Sequence, residues 1–142
     1  MTLSAEDKQG VMELIASYAV CIDSGDIDGY VNNFLPDGIL EYSVGTAKGR
    51  DEIRTWVSGL KERGIVGGTP ATMRHFVGLP RVTDGSDGRA RALTYCVIFN
   101  YGDAKQIQTP LVATYDDTCV KQDGRWLFEK RTIIADLGVG RG

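Results

Sequence analysis

A single histidine, His75, stands in a chain of 142 residues. That scarcity excludes sites built on several imidazoles, such as an HExxH helix or a three-histidine zinc centre. Chemistry at His75 would therefore have carboxylates, tyrosines or arginines as partners, and no metal site is expected. Cysteine is also sparse: Cys21, Cys96 and Cys119 are odd in number, lie 75 and 23 residues apart and form no CxxC. This excludes a disulfide framework or zinc ribbon and leaves the three thiols as packing residues. No apolar run approaches the roughly 20 residues of a spanning helix, so no membrane partner is expected. The start, Met1 to Asp7, lacks a basic segment followed by an apolar one, so no export signal is visible. Together with unpaired cysteines this points to a cytoplasmic location. A GxGxxG after a strand, a GxxxxGK[ST] loop and a GxSxG elbow are all missing, which removes support for phosphate-loop and serine-hydrolase chemistry.

Positive charge is not in excess either. The net charge is −3, with 6 basic and 11 acidic groups in residues 1–71 and 10 and 8 in residues 72–142. The basic groups of the second half are scattered, so no nucleic-acid footprint is present. What remains is an ordinary globular composition, 42% hydrophobic and 25% charged, of a length suited to one domain spanning 1–142.

The first half reads as helical. Ser4 can cap a helix in which Val11, Leu14, Ile15, Tyr18, Ala19 and Ile22 recur at helical spacing up to Ser24-Gly25. Asp26 can cap a short second helix with Tyr30, Val31 and Phe34 on its apolar face, ended by the turn residues Pro36-Asp37-Gly38. Residues 39–44 read as a strand, and 50–63 as a third helix with Ile53, Trp56, Val57 and Leu60 on one stripe. Gly64 to Pro70 is a glycine-rich connection, suited either to an active-site lid or to a plain surface loop. From Thr72 the pattern alternates. Four strands, at about 72–83, 89–101, 106–121 and 125–136, are joined by the turn segments 84–88, 102–104 and 122–124. Such a meander must bury one face under the three helices, giving an α+β fold with a curved sheet.

Strand parity puts His75 beside Met73, Val77 and Leu79, with Arg74 and Phe76 opposite. An imidazole on an apolar face is usually structural; a carboxylate partner would fix its tautomer and favour its protonated form. Asp23 is the best candidate, because a carboxylate at a helix C-terminus is opposed by the helix dipole and so is not explained by helix stability. Its other reading is a cap of the following turn. Tyr18 lies about 140° around the helix from Asp23, so the two share a cavity only if its opening is wide. Tyr42, Tyr95 and Tyr115 could present hydroxyls to a pocket, or simply fill the core. Arg131 could contact an anion or carbonyl, although strand arginines usually face water.

The order of these features resembles the SnoaL-like group of the nuclear transport factor 2-like superfamily, which includes polyketide cyclases, scytalone dehydratase and bile-acid dehydratase. The features are Tyr18-x4-Asp23-Ser24-Gly25-Asp26, Phe34-x2-Asp37-Gly38, Gly49 to Ile53, Arg74-His75-Phe76-Val77 and Gly124-Arg125-Trp126-x4-Arg131. The resemblance spans the chain and implies a cone-shaped curved mixed sheet, mainly antiparallel, packed against the three helices and enclosing a pocket. It implies catalytic roles for His75, Asp23 and Tyr18, with Tyr42 and Arg131 as substrate-binding residues; Tyr95 and Trp56 are further candidates for substrate binding in the same pocket. Scytalone dehydratase uses a second histidine, which this chain lacks, so the one-histidine arrangement fits better. The implied activity is a lyase (dehydratase), isomerase or cyclase needing no cofactor, acting on a small apolar cyclic hydroxy-carbonyl compound. The fold also carries non-catalytic ligand-binding or partner subunits, and epoxide hydrolases with an Asp–Arg–Asp site, for which Asp23 would need Arg74 or Arg131. Members commonly pair through the open sheet face. Here the Trp126 and Phe128 side and the Ile133 and Ala135 side of the last strand offer two apolar surfaces, of which a homodimer (or trimer) would cover one.

Overall fold

A computed structural model describes residues 2–68, 70–101, 106–108 and 110–137. Helix α1, Ala5–Ser24, begins at a capping box in which the Ser4 hydroxyl accepts from the Asp7 N–H and the Asp7 carboxylate accepts from the Ser4 N–H. Those bonds hold the Asp7 carboxyl down at about 2. The predicted stripe is the buried one: Val11, Leu14, Ile15, Tyr18, Ala19 and Ile22 all face the core. The helix stops at Gly25, whose φ of 72° closes the last turn. Helix α2, Ile27–Val31, is capped by Asp26 as expected, and α3 runs over Gly49–Glu62.

Seven strands form one curved, unclosed sheet: β1 (Phe34–Tyr42), β2 (Gly45–Lys48), β3 (Met73–Val77), β4 (Arg81–Asp84), β5 (Ala90–Asn100), β6 (Leu111–Gln122) and β7 (Arg125–Leu137). Their order is β2-β1-β7-β6-β5-β3, with β4 also on β5. All pairs are antiparallel except β1 with β7, so the sheet is mixed, and the helices cover its concave face.

The strand boundaries differ from the pattern reading at four places. The expected turn at Pro36-Asp37-Gly38 lies inside β1, where the pairing with β7 is irregular between Phe34 and Ile39. Proline lacks the N–H a regular ladder needs, and the strand bulges around it instead of ending. Residues 43–44 turn the chain into β2, which the sequence reading did not contain. The single strand expected over 72–83 is two, β3 and β4, which pair with successive parts of one edge of β5 on either side of Gly78-Leu79-Pro80. Strand β6 begins at Leu111, five residues later than expected, and the expected turn 102–104 lies outside the described residues.

A further difference, inside β7, reshapes the core. Phe128 pairs with Cys119, but Lys130 pairs with Thr118, so β7 carries one extra residue there. This bulge reverses strand parity. Trp126 and Phe128 are buried below it, Arg131 is fully buried just above it, and Ile133 and Ala135 continue on the same concave face. The two apolar sides expected of β7 are therefore one inner face in two parity frames. The outward face of the sheet instead exposes Phe76, Tyr95 and Ile134. Among the described residues, no helix is long and apolar enough to cross a membrane, and the three cysteines are free.

Candidate active site

Between the helices and the concave face lies a cavity of about 420 Å³. It is lined by Tyr18 and Ile22 of α1, Tyr42 of β1, Trp56 and Leu60 of α3, Arg63 just after α3, Met73 and His75 of β3, Tyr115 of β6 and Ile133 of β7. The lining is mostly apolar and aromatic, the usual character of a small-molecule site. Tyr42 and Trp56 support each other, with ring centroids 4.9 Å apart.

His75 and Asp23 form a pair. Nδ1 lies 2.6 Å from Asp23 Oδ1, and the His75 backbone N–H donates to Oδ2 at 2.9 Å. Both carboxylate oxygens are thus engaged by one residue, which fixes the rotamer of Asp23 and the plane of the imidazole together. The side chains are only 6% and 9% exposed. Local structure explains the meeting. Gly25 ends α1 immediately after Asp23, and its backbone lies so close to Gly67 that a Cβ there would sit 3.2 Å from the Gly67 Cα. Lys61 Nζ donates to the Gly25 carbonyl, and the Thr72 hydroxyl donates to that of Ile65. Residues 64–68 are thereby seated on the end of α1, and β3 runs alongside Asp23.

The 140° offset between Tyr18 and Asp23 has a direct consequence. Tyr18 faces the cavity, whereas Asp23 lies in a second, more open cleft with Ser24, Gly68, Pro70 and Arg74. His75 borders both. It forms part of the wall between them, with Nδ1 engaged by Asp23 and Nε2 the nitrogen left for a bound molecule.

The remaining expected site residues separate into three groups. Tyr18, Tyr42, Trp56 and Tyr115 line the cavity. Tyr18 is 1% exposed, and its hydroxyl accepts from Tyr30 at 2.8 Å, leaving its own hydrogen available. Burial raises the titration of both phenols. Tyr95 is a correction. Thr94 and Cys96 point inward, so parity sends Tyr95 to the outer face, where it is 71% exposed and does not line the cavity.

Arg131 is a second correction. It is 0% exposed, absent from the cavity lining, and donates to both oxygens of Asp117 at 2.7 Å. Its guanidinium sits 4.0–4.3 Å from the ring centres of Tyr115, Tyr18 and Phe128. It therefore buttresses two of the cavity's tyrosines from behind the lining. With Arg131 committed to Asp117 and Asp23 to His75, the Asp–Arg–Asp arrangement through Arg131 is not formed. Sequence reasoning missed Arg63 at the cavity wall; its only signal was a position just past the apolar stripe of α3.

Solved structures with the same fold include a protein from Nostoc punctiforme PCC 73102 with a cystatin-like fold, 26% identical, with TM-score 0.84 over 99% of this chain and 98% of that one. An NTF2-like protein with a cystatin-like fold from Novosphingobium aromaticivorans is also 26% identical, with TM-score 0.81 over 95% and 85%. A candidate scytalone dehydratase from the same organism matches at 18% identity, with TM-score 0.76 over 96% and 95%. No curated protein is significantly similar to the chain. The model of the SnoaL-like domain matches residues 3–132, nearly the whole cone with both ends of the His75–Asp23 contact, and the chain belongs to that family.

Proposed function

We propose that the protein is an acid–base lyase or isomerase whose substrate is a small, apolar cyclic hydroxy-carbonyl compound held in the 420 Å³ cavity. The observation that carries this reading is the 2.6 Å His75–Asp23 contact at the wall of a mostly apolar chamber. The likeness to a candidate scytalone dehydratase concerns the fold, and the reaction is argued from the site itself.

In the dehydration form, Nε2 of His75 removes the proton α to the carbonyl while Asp23 keeps the other ring proton on Nδ1. The negative charge that develops on the carbonyl oxygen is met by a hydroxyl donor, for which Tyr18 and Tyr42 are the candidates, in a site with little competing water. The imidazolium then returns the proton to the departing β-hydroxyl. A C–H and a C–O bond break, a C=C bond forms and water leaves, so one residue serves as base and acid. In the isomerase form, the proton returns to a different carbon. The cavity walls orient the ring system and exclude solvent.

The test is turnover of candidate hydroxy-carbonyl substrates by the protein and by His75→Ala and Asp23→Asn. Loss of at least about a hundredfold in kcat for both supports the pair, that being the lower range of general acid–base catalysis. Near-full turnover by either variant overturns it.

A further inference from the structure

Arg63 is the one residue on the cavity wall with a fixed charge; no aspartate, glutamate or lysine joins it among the described lining residues. It directly follows α3, and its Nε donates to the Gly59 carbonyl at 3.2 Å. That bond ties the guanidinium to the last turn of the helix and leaves both terminal nitrogens without a carboxylate partner among the described residues. Arg63 is exposed, and its planar group with spare donors is suited to two-point recognition of a carboxylate or a similar oxyanion. Tyr42 and Ser43 also line the cavity and bring hydroxyl donors to it. Met73, Ile98 and Tyr115 supply aromatic and aliphatic lining, and no acidic side chain is among the described lining residues to repel an anion.

From this placement we infer that the cavity is built for an amphipathic anion: an apolar ring system inside, with a carboxylate or comparable oxyanion paired to Arg63. This deepens the proposed function by naming the charge and polarity of its substrate class, and it rests on that reading only for the statement that the bound molecule is a substrate. Arg63 is a specificity-determining residue in this account. It takes no part in proton transfer, which stays with His75 and Asp23.

The experiment separates charge recognition from chemistry. The neutral fluorophore N-phenyl-1-naphthylamine reports cavity occupancy, and 2-naphthoate and 2-naphthamide, of one shape and different charge, are titrated against it. The expected result is a preference for naphthoate of roughly tenfold at low ionic strength, the size of one charge-assisted contact, falling as salt rises. Arg63→Gln abolishes the preference while naphthamide still competes as in the unaltered protein, and Arg63→Lys retains part of it. A merely structural role for Arg63 at the helix end would weaken both competitors alike, and that outcome overturns the inference. So does a preference that persists in Arg63→Gln. His75→Ala distinguishes the two readings: unchanged turnover with an intact naphthoate preference sinks the catalytic pair and leaves Arg63 standing, whereas lost turnover without any charge preference does the reverse.

Discussion

Arg131 and Asp117 face each other across β7 and β6 and share two hydrogen bonds of 2.7 Å at 0% side-chain exposure. Burial alone acts on the two groups in opposite senses, pushing the carboxyl up and the guanidinium down; the two-point contact holds Arg131 charged, its titration raised. Three aromatic rings complete the enclosure. Removing one partner strands a charge in a site closed to solvent. Asp117→Asn is therefore expected to cost about 3–5 kcal/mol, a large share of a typical domain's stability of about 5–15 kcal/mol. The double variant Asp117→Leu with Arg131→Met removes both charges and should recover much of that loss. Urea unfolding of the single and double variants checks both statements. A stable Asp117→Asn would mean that water reaches the pair.

Two helical glycines should respond to alanine with opposite signs. Gly59 lies in α3 with nothing within 4 Å of where a Cβ would stand. Gly59→Ala gains helix propensity and is expected to stabilise by about 0.5–1 kcal/mol. Gly10 sits on the Trp126 indole, where a Cβ would meet Cδ1 at 2.6 Å. Relieving that overlap means moving a buried ring or the first turns of α1, so Gly10→Ala should destabilise despite its better propensity. Thermal melts of the pair give the two signs directly.

The helices were legible because their signals are local. Ser4, Asp26 and Gly25 act through neighbouring backbone groups, and the stripe from Val11 to Ile22 is an unbroken 3.6-residue repeat. The sheet was legible in its alternation but not in its phase. Nothing in Phe128-Glu129-Lys130-Arg131 announces an extra residue, because the bulge is fixed by pairing with Thr118 and Cys119 on another strand. Without that phase change, Arg131 falls on the wrong side of β7 and the core appears as two surfaces. Tyr95 was a different kind of miss. Its neighbours already alternate as Ala90, Ala92, Thr94 and Cys96, and that parity points it outward. Asp23 was found for a physical reason, since an acid at a helix C-terminus needs a partner elsewhere; which residue supplies that partner depends on how residues 64–68 pack on Gly25. Arg63 carried no comparable signal, because an arginine at a helix C-terminus is favourable there already.

Tyr18, Tyr30 and Tyr115 are half of the chain's six tyrosines, each 1% exposed or less. Burial raises all three above the ordinary phenol value of 10.0. Below about pH 10 these hydroxyls are neutral in both the folded and unfolded chain, and their contribution to stability is constant. Above it the unfolded chain ionises while the fold resists, so stability falls as pH rises toward the folded-state values. Phenolate absorbance from these three side chains should therefore appear only with unfolding, as a cooperative step coincident with loss of far-ultraviolet circular dichroism. In Tyr30→Phe the amplitude of that step should shrink by about one phenolate, since one of the three coupled hydroxyls is gone. Smooth, non-cooperative ionisation of all the tyrosines would show that the cavity floor is open to solvent.

The scarcity of histidine makes the central contact directly measurable. With one imidazole in the chain, side-chain nitrogen-15 spectra contain a single pair of ring resonances, and their couplings to the ring protons distinguish Nε2 from Nδ1. In the neutral imidazole, Asp23 should hold the proton on Nδ1, leaving Nε2 as the bare nitrogen that a base requires. Asp23→Asn tests this without a substrate. The new amide has one acceptor oxygen in place of two, and the His75 backbone N–H, 2.9 Å from Oδ2, competes for it. If that bond is kept, the amide NH2 points at Nδ1, which must become the acceptor, and the proton moves to Nε2. The two ring resonances should then exchange character, the bare-nitrogen shift passing from Nε2 to Nδ1. A base with its proton on the wrong nitrogen cannot act, so turnover should fall by about 10²–10⁴-fold, while the fold, and with it cavity binding, is retained. If Nε2 remains bare and turnover falls all the same, the tautomer is not what Asp23 contributes, and its charge beside the developing imidazolium becomes the operative interaction.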